Sequence, residues 1–428
     1  MLKSNKFYVL EKEVDSYMEK SYRIVIELLH ASVHQKKLYL SEIMTDEEWE
    51  EVIKVLELNR MLGVAYKTVE ALPEEKKPSK EIMSIWKNKA FGIGIMQMQK
   101  NICIRNLLEE SNRRGLTLVV FKGIPLAELY PEPAMRYSCD TDIYVYKEEK
   151  EMVEQLLMEQ GFVHAGGKEN VPDYVKDNKV KIELHSRLWE DYENEQTKFL
   201  DLLDITNRSK IICENYNGVK MYTLGYNEHF IFQMFHIIKH FSLEGVGIKY
   251  LLDVSLYVNK YIHVLDKEYF WKVMKQLNYD VFCDAFFKLA VEYFGMNNEI
   301  LDEKYELKKY SDDLLDDIFM VGKLGDDDDS AWKVMHLLMP YYLQEREVPR
   351  SKWQRIRYIV FPKAEELTDY YSYAKRNRFL LPVAWVHRII NRVLKDNNKT
   401  EEDVDTLKKT KKVEHRLKLL NDMELTEK

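Results

Sequence analysis

Asp140 and Asp142 stand one residue apart in the stretch CDTDIYVY, at the head of an apolar alternating run. Residues two apart in a strand project from the same face, so the two carboxylates point together. Side by side they repel, unless a cation or a shared proton lies between them. A hard divalent cation such as Mg²⁺ takes oxygen ligands and keeps positions open for substrate phosphates, which suits the pair to phosphoryl chemistry. The plain alternative is a solvated strand start, since Asp-x-Asp arises often by chance.

Neighbouring residues favour chemistry. Lys122 and Gly123 end one apolar run and open a short helix, where backbone N–H groups receive phosphate and glycine permits close approach. Arg136, four residues before Asp140, offers a second phosphate contact. Glu183, in KIELH, supplies a further carboxylate on a later strand, and His185 shares its face and orients a ligand or a water. Each has a structural alternative. Lys122 would lie over apolar surface, Arg136 would pair with Asp140 in the loop, Glu183 would face outward, and His185 would be a partly buried histidine with a backbone partner.

The elements that must position these residues follow from hydrophobic period. Residues 1–112 read as helices: Thr45 and Glu48 make a capping box, and Trp49, Val52, Ile53 and Leu56 recur at helical spacing in a helix closed by Pro73 and Pro78. A further helix runs from about residue 81 to 112. In residues 113–225 the period changes. The runs 116–121 and 140–146 read as strands, 147–161 as an amphipathic helix, 162–165 as a third strand and 179–189 as a half-exposed one. Residues 226–396 return to a helical period rich in aromatic residues, and 397–428 form a charged tail. The expected class is α+β, a small mixed sheet flanked by helical N-terminal and C-terminal segments.

Composition narrows the function. The 428 residues are 46% apolar and 32% charged, the signature of a folded chain. A net charge of −8 and a pI near 5.9 give no overall attraction to nucleic acid or to an anionic membrane. Four widely spaced cysteines form no CxxC pair, so they read as reduced thiols rather than a zinc ribbon or a disulfide framework. With no signal-like start and no long apolar span, the expected location is the cytoplasm.

His229, His236 and His240 share one helical face, which raises zinc as a ligand. Without an HExxH pattern or a nearby cysteine, the better expectation is that this face packs on the sheet, with Lys249 and Asp253 toward substrate. The acidic run 325–330 reads as a solvated loop, and the basic segments 352–357 and 374–378 as exposed helix faces.

The stretch from VVFKGIPLAELY through MRYSCDTDIYVY to IELHSRLW resembles a bacterial nucleotidyltransferase family, a branch of the DNA-polymerase-β-like superfamily with Lys-Gly in place of the usual Gly-Ser. HIIKHF, GIKYLLDV and LLPVAWVHRI extend the resemblance over most of the chain. It implies a Mg²⁺- or Mn²⁺-dependent transfer of a nucleoside monophosphate from a nucleoside triphosphate, ATP among the candidates, to an acceptor hydroxyl on a sugar, small molecule, peptide or protein. Carried over residue by residue, Asp140, Asp142 and Glu183 would hold metal, Lys122, Gly123 and Arg136 the phosphates, with His185 behind them; Glu183 could instead act as base. Two other classes stay open: a non-catalytic nucleotide- or partner-binding protein of the same fold, and a metal-dependent glycosyltransferase.

Overall fold

The computed structural model describes residues 20–168, 170–189, 195–243, 245–302, 313–319, 373–374, 380–387, 416 and 418–425. The chain forms two compact units, residues 1–241 with 245–326 and residues 242–244 with 327–428. The acidic run, the basic segment 352–357, residues 375–378 and most of the charged tail lie outside the described residues.

In the first unit, helices α1 (Lys20–Val33), α2 (Asp46–Leu58), α3 (Leu62–Glu70) and α4 (Lys80–Arg113) precede the sheet. The capping box forms: Thr45 Oγ1 accepts from the Glu48 N–H at 3.3 Å, and the Thr45 N–H donates to Glu48 Oε2 at 2.9 Å. The single helix expected up to Pro73 is instead two. Arg60 takes φ 56°, its N–H returns to Glu57 O, and the Met61 N–H returns to Leu56 O, a left-handed stop that ends α2 without glycine. Asn59 serves both sides of the break, donating to Val55 O at 2.9 Å and accepting the first N–H of a later helix, that of Ile248, at 2.9 Å.

The sheet follows: β1 (Val119–Phe121), α5 (Gly123–Ala127), β2 (Asp140–Tyr144), α6 (Lys150–Glu159), β3 (Val163–Lys168), β4 (Val171–Lys176), β5 (Val180–His185), α7 (Glu195–Leu202), β6 (Ile211–Tyr216) and β7 (Val219–Leu224). Its order is β3-β4-β5-β2-β1-β7-β6, with β2/β5 and β1/β7 parallel and the other pairs antiparallel. The α+β class is as expected, but the sheet is larger, because β4, β6 and β7 were not anticipated. The β6–β7 turn carried a readable signal: Asn217 at φ 51° and Gly218 at φ 82° take the left-handed pair that Asn-Gly favours between strands.

Strand alternation sets which face is which. Val120, Ile143, Ile182 and Leu184 are buried in a core with Ile104, Leu107 and Leu108 of α4 and Val153, Leu156 and Leu157 of α6. Their neighbours Phe121, Asp142, Glu183 and His185 therefore project from the opposite face. That face meets α8 (Tyr226–Leu243), the first of the helices after the sheet; α9 (Ile248–Tyr261), α10 (Lys267–Gln276) and α11 (Asp280–Phe294) follow it. Phe232 of α8 lies edge-on to Phe121 at 5.1 Å. Behind it, Phe230 packs with Phe270 at 4.4 Å and Phe287 at 5.8 Å, so an aromatic core fixes α8 against α10 and α11.

In the second unit, residues 381–387 are helical, with Tyr373 and Leu381 against buried Ala374 and Ala384, and Leu419 and Leu420 are buried in a helical turn at 418–422. Among the described residues, no helix is long and apolar enough to cross a membrane.

Candidate active site

Register brings the chemistry-bearing residues into one row. Phe121 pairs with Asp142, Asp142 with Glu183, and Glu183 with Asp173, across β1, β2, β5 and β4. His185 follows Glu183 on the same face, and its Nε2 lies 3.1 Å from Asp142 Oδ1 and 3.9 Å from Glu183 Oε2. Among the described residues, Asp142, Glu183 and His185 form a group whose ligand atoms all lie within 4.8 Å of one another.

Asp142 is 3% exposed. Burial alone would raise its carboxyl, but the Lys122 ammonium and the bond to His185 pull it down to about 2. Lys122 Nζ is 2.6 Å from Asp142 Oδ1, the same oxygen that His185 meets. Glu183 is less enclosed and shares Lys181 with Asp173, at 2.8 and 3.1 Å. The donor set fits a divalent cation: carboxylate oxygens suit Mg²⁺, and an imidazole beside them suits Mn²⁺ as well. His185 Nδ1, the ring nitrogen other than the one that meets Asp142, is buried without a hydrogen-bond partner.

The Lys-Gly turn is built differently from the expectation. Gly123 begins α5 in helical geometry, and Lys122 carries the unusual backbone, φ 59° and ψ −118°. A non-glycine residue in that region is strained and persists only where its surroundings hold it. Here the hold is visible: the Lys122 N–H donates to His229 Nε2 at 3.3 Å, and its ammonium is fixed on Asp142. At Gly123 a Cβ would meet Asp140 O and Ser138 Oγ at 3.5 Å, an ordinary contact, so neither its conformation nor its packing demands glycine.

Arg136, expected at the phosphates, is partnered within the fold. It is 3% exposed and donates from Nε and Nη2 to both oxygens of Asp253, at 2.7 and 2.6 Å, and from Nη1 to Gly123 O at 3.3 Å. The Tyr130 hydroxyl also donates to Asp253, at 2.8 Å. The guanidinium is thus spent on tying the turn to α9, and Asp253 is an internal residue rather than a substrate-side one. Lys249 donates to Tyr137 O at 3.3 Å, and burial with nearby Arg136 pushes it down to about 8.

Asp140 is half-buried at the start of β2 and outside the three-residue group. The loop before it is held from below by two α4 side chains that sequence reasoning missed. Gln97 donates to Ser138 O at 2.9 Å, while Lys100 donates to Ser138 O at 2.9 Å, to Ser138 Oγ at 2.5 Å and to Asp140 O at 3.3 Å. Burial pushes Lys100 down to about 8, against the pull of Asp140. Its signal was present: Lys100 precedes Ile104 and Leu107 on the apolar side of the helix, where a lysine needs a buried partner. Asp173 was missed because β4 was.

Of the α8 histidines, His229 meets the sheet end at Lys122, while His236 and His240 lie against Tyr250 of α9. Burial and then Lys122 push His229 down to about 4, so it receives the Lys122 N–H as a neutral ring. His236 and His240 stand 4.3 Å apart, and among the described residues neither joins a metal-binding group.

No curated protein sequence matches the chain. An antigenic nucleotidyltransferase-like protein from Paracoccidioides brasiliensis is similar in its crystal structure over 48% of this chain and 95% of that one, at 11% identity. Its TM-score is 0.29, a likeness too faint to bear on the chemistry. A family model described as uncharacterised nucleotidyltransferase matches residues 45–295, more than half of the chain and every residue of the site. The chain belongs to that nucleotidyltransferase family.

Proposed function

We infer that the protein moves a nucleoside monophosphate from a nucleoside triphosphate to an acceptor hydroxyl, in a site that takes Mg²⁺ or Mn²⁺. The observation that carries this reading is the enclosed Asp142–Glu183–His185 group beside the Lys122–Gly123 turn, in a chain of this family.

Asp142 and Glu183 would hold the cation, with Asp140, two residues earlier on the same strand, as a further carboxylate. When bound, the cation would neutralise the triphosphate and the charge passing to pyrophosphate. His185 fixes the orientation of Asp142 through Nε2. Lys122, with its ammonium already at the carboxylate edge, would reach the phosphates, and Gly123 would present the start of α5 to them. Arg136 is left out of the phosphate contacts and acts through the turn it supports. In the transfer, the acceptor oxygen bonds to the α-phosphorus, the bond from that phosphorus to the β-bridging oxygen breaks, pyrophosphate leaves, and the hydroxyl proton passes to Glu183 or to water. Catalysis then rests on positioning and charge neutralisation. The cytoplasm is the proposed location, in keeping with free Cys103, Cys139, Cys213 and Cys283.

One observation favours a second reading. Lys122 already neutralises Asp142, so the group is stable without a metal, as a non-catalytic nucleotide-binding protein would require. Release of labelled pyrophosphate from γ-labelled triphosphates, across sugar, small-molecule and peptide acceptors, separates the two. Release that disappears in Asp142→Asn supports transfer; tight nucleotide binding with no release from any acceptor supports the second reading; turnover of UDP- or GDP-sugars would make the protein a glycosyltransferase.

A further inference from the structure

Gln233 of α8 is 4% exposed, and neither Oε1 nor Nε2 of its amide has a hydrogen-bond partner. Two unpaired polar atoms in one buried side chain are costly, and a leucine or methionine would fill the space without that penalty. The amide is therefore best explained by something that pairs with it.

Its neighbours indicate what. His229, Gln233, His236 and His240 follow at steps of four, three and four, so they line one helix face. One end of this face is fixed at the candidate active site, where His229 receives the Lys122 N–H. The other end carries rings. His236 lies nearly parallel to Phe232, at 6.1 Å and 16°, and 4.3 Å from His240. Tyr250 of α9 stands 6.4 Å from His236 and 6.3 Å from His240, at 27° to the latter. His236, His240 and Tyr250 are half-buried. Phe232 joins the two ends, 5.7 Å from Lys122 Nζ and 5.1 Å from Phe121, the strand partner of Asp142. The rings thus begin where the phosphate region ends, and burial with the charge of Lys122 keeps His236 uncharged.

A half-buried set of rings beside a phosphate site is suited to a flat ligand face, and an amide that offers one donor and one acceptor is suited to the edge of a heterocycle. We propose that His236, His240 and Tyr250 form the stacking surface, and Gln233 the edge-reading group, of a pocket for the nucleobase of the triphosphate. The pocket rests on the nucleotidyltransferase reading, since it places the nucleoside end of the same substrate.

The test uses the full chain with Mn²⁺, titrated with α,β-methylene analogues of the four common nucleoside triphosphates and, separately, with inorganic tripolyphosphate. Tyr250→Ala and His236→Ala should each weaken the nucleotide analogues about tenfold and leave tripolyphosphate unchanged. Tyr250→Phe, which keeps the ring, should bind as the parent does. Gln233→Met, close in volume, should flatten the ranking among the four bases. Equal weakening of tripolyphosphate and nucleotides by the alanine variants, or nucleotide affinities unmoved by all of them, overturns the pocket. If the unaltered protein binds neither probe, the nucleotidyltransferase reading fails with it, whereas binding of both probes with unmoved variants removes the pocket alone.

Discussion

Two buried ion pairs meet at the Lys122–Gly123 turn, and they are built to different standards. Arg136 and Asp253, 3% and 2% exposed in their side chains, form two parallel bonds, and Tyr130 and Gly123 take up further hydrogen-bonding capacity. Lys122 and Asp142 share one short contact, His185 crowds the same carboxylate oxygen from 3.1 Å, and His185 Nδ1 is left unpaired. A fully satisfied buried pair holds architecture together; a carboxylate oxygen crowded by two partners is the condition in which a bound ion or substrate can improve matters. The first pair fixes the turn, and the second is where chemistry is offered.

The contrast can be broken at either pair. Asp253→Ala would leave the Arg136 charge buried and unpartnered, at a cost of about 3–5 kcal/mol in stability. Urea unfolding should show it, and the double variant Arg136→Met/Asp253→Leu should recover most of the loss; a single variant as stable as the parent would deny the architectural role. Asp142→Asn should act the other way, lowering nucleotidyl transfer by roughly 10²–10³-fold with a small change in the urea midpoint, because Lys122 retains 19% side-chain exposure and can be solvated. A collapse in stability matching that of Asp253→Ala would erase the distinction.

Next in size is a pH effect at the residue that supports the Lys122 backbone. An unfolded histidine titrates near ~6.5, whereas burial and then Lys122 hold His229 at about 4. Between these values the unfolded chain binds a proton that the folded chain refuses. The contribution of neutral His229 is therefore present above pH about 6.5 and is lost as pH falls toward 4, on the order of 3 kcal/mol in total. His229→Gln, which keeps an acceptor for the Lys122 N–H, should make the urea midpoint less sensitive to pH between 7 and 4.5; equal slopes would contradict the assignment. The smallest effect belongs to His185→Ala, which loses the group that orients Asp142 and should weaken metal affinity or activity by about 10–100-fold.

Much of the site was legible because strand residues reveal their faces. Asp142, Glu183 and His185 came together as alternation required, and the Lys-Gly turn falls where one apolar run stops. Less legible was anything decided by a partner distant in sequence. Arg136 reads as a loop arginine until Asp253, 117 residues later, is placed against it. The strained backbone falls on Lys122 rather than Gly123 because His229, 107 residues away, receives its N–H. Lys100 looked like one more helix lysine, although its place in the apolar period marked it as buried. The missed strands divide in the same way: β7 pairs β6 through an Asn-Gly turn visible in the sequence, while β4 is a short run whose strand character depends on its partners β3 and β5.

The central claim is that Asp142 and its neighbours hold a divalent cation beside the triphosphate site. It is tested most directly by titrating the full chain with Mn²⁺ and following the free ion by electron paramagnetic resonance, with and without an α,β-methylene nucleoside triphosphate. The expected result is Mn²⁺ binding that tightens with the nucleotide and is lost in Asp142→Asn. Binding equally strong in Asp142→Asn, or absent from the unaltered protein even with nucleotide present, would contradict it.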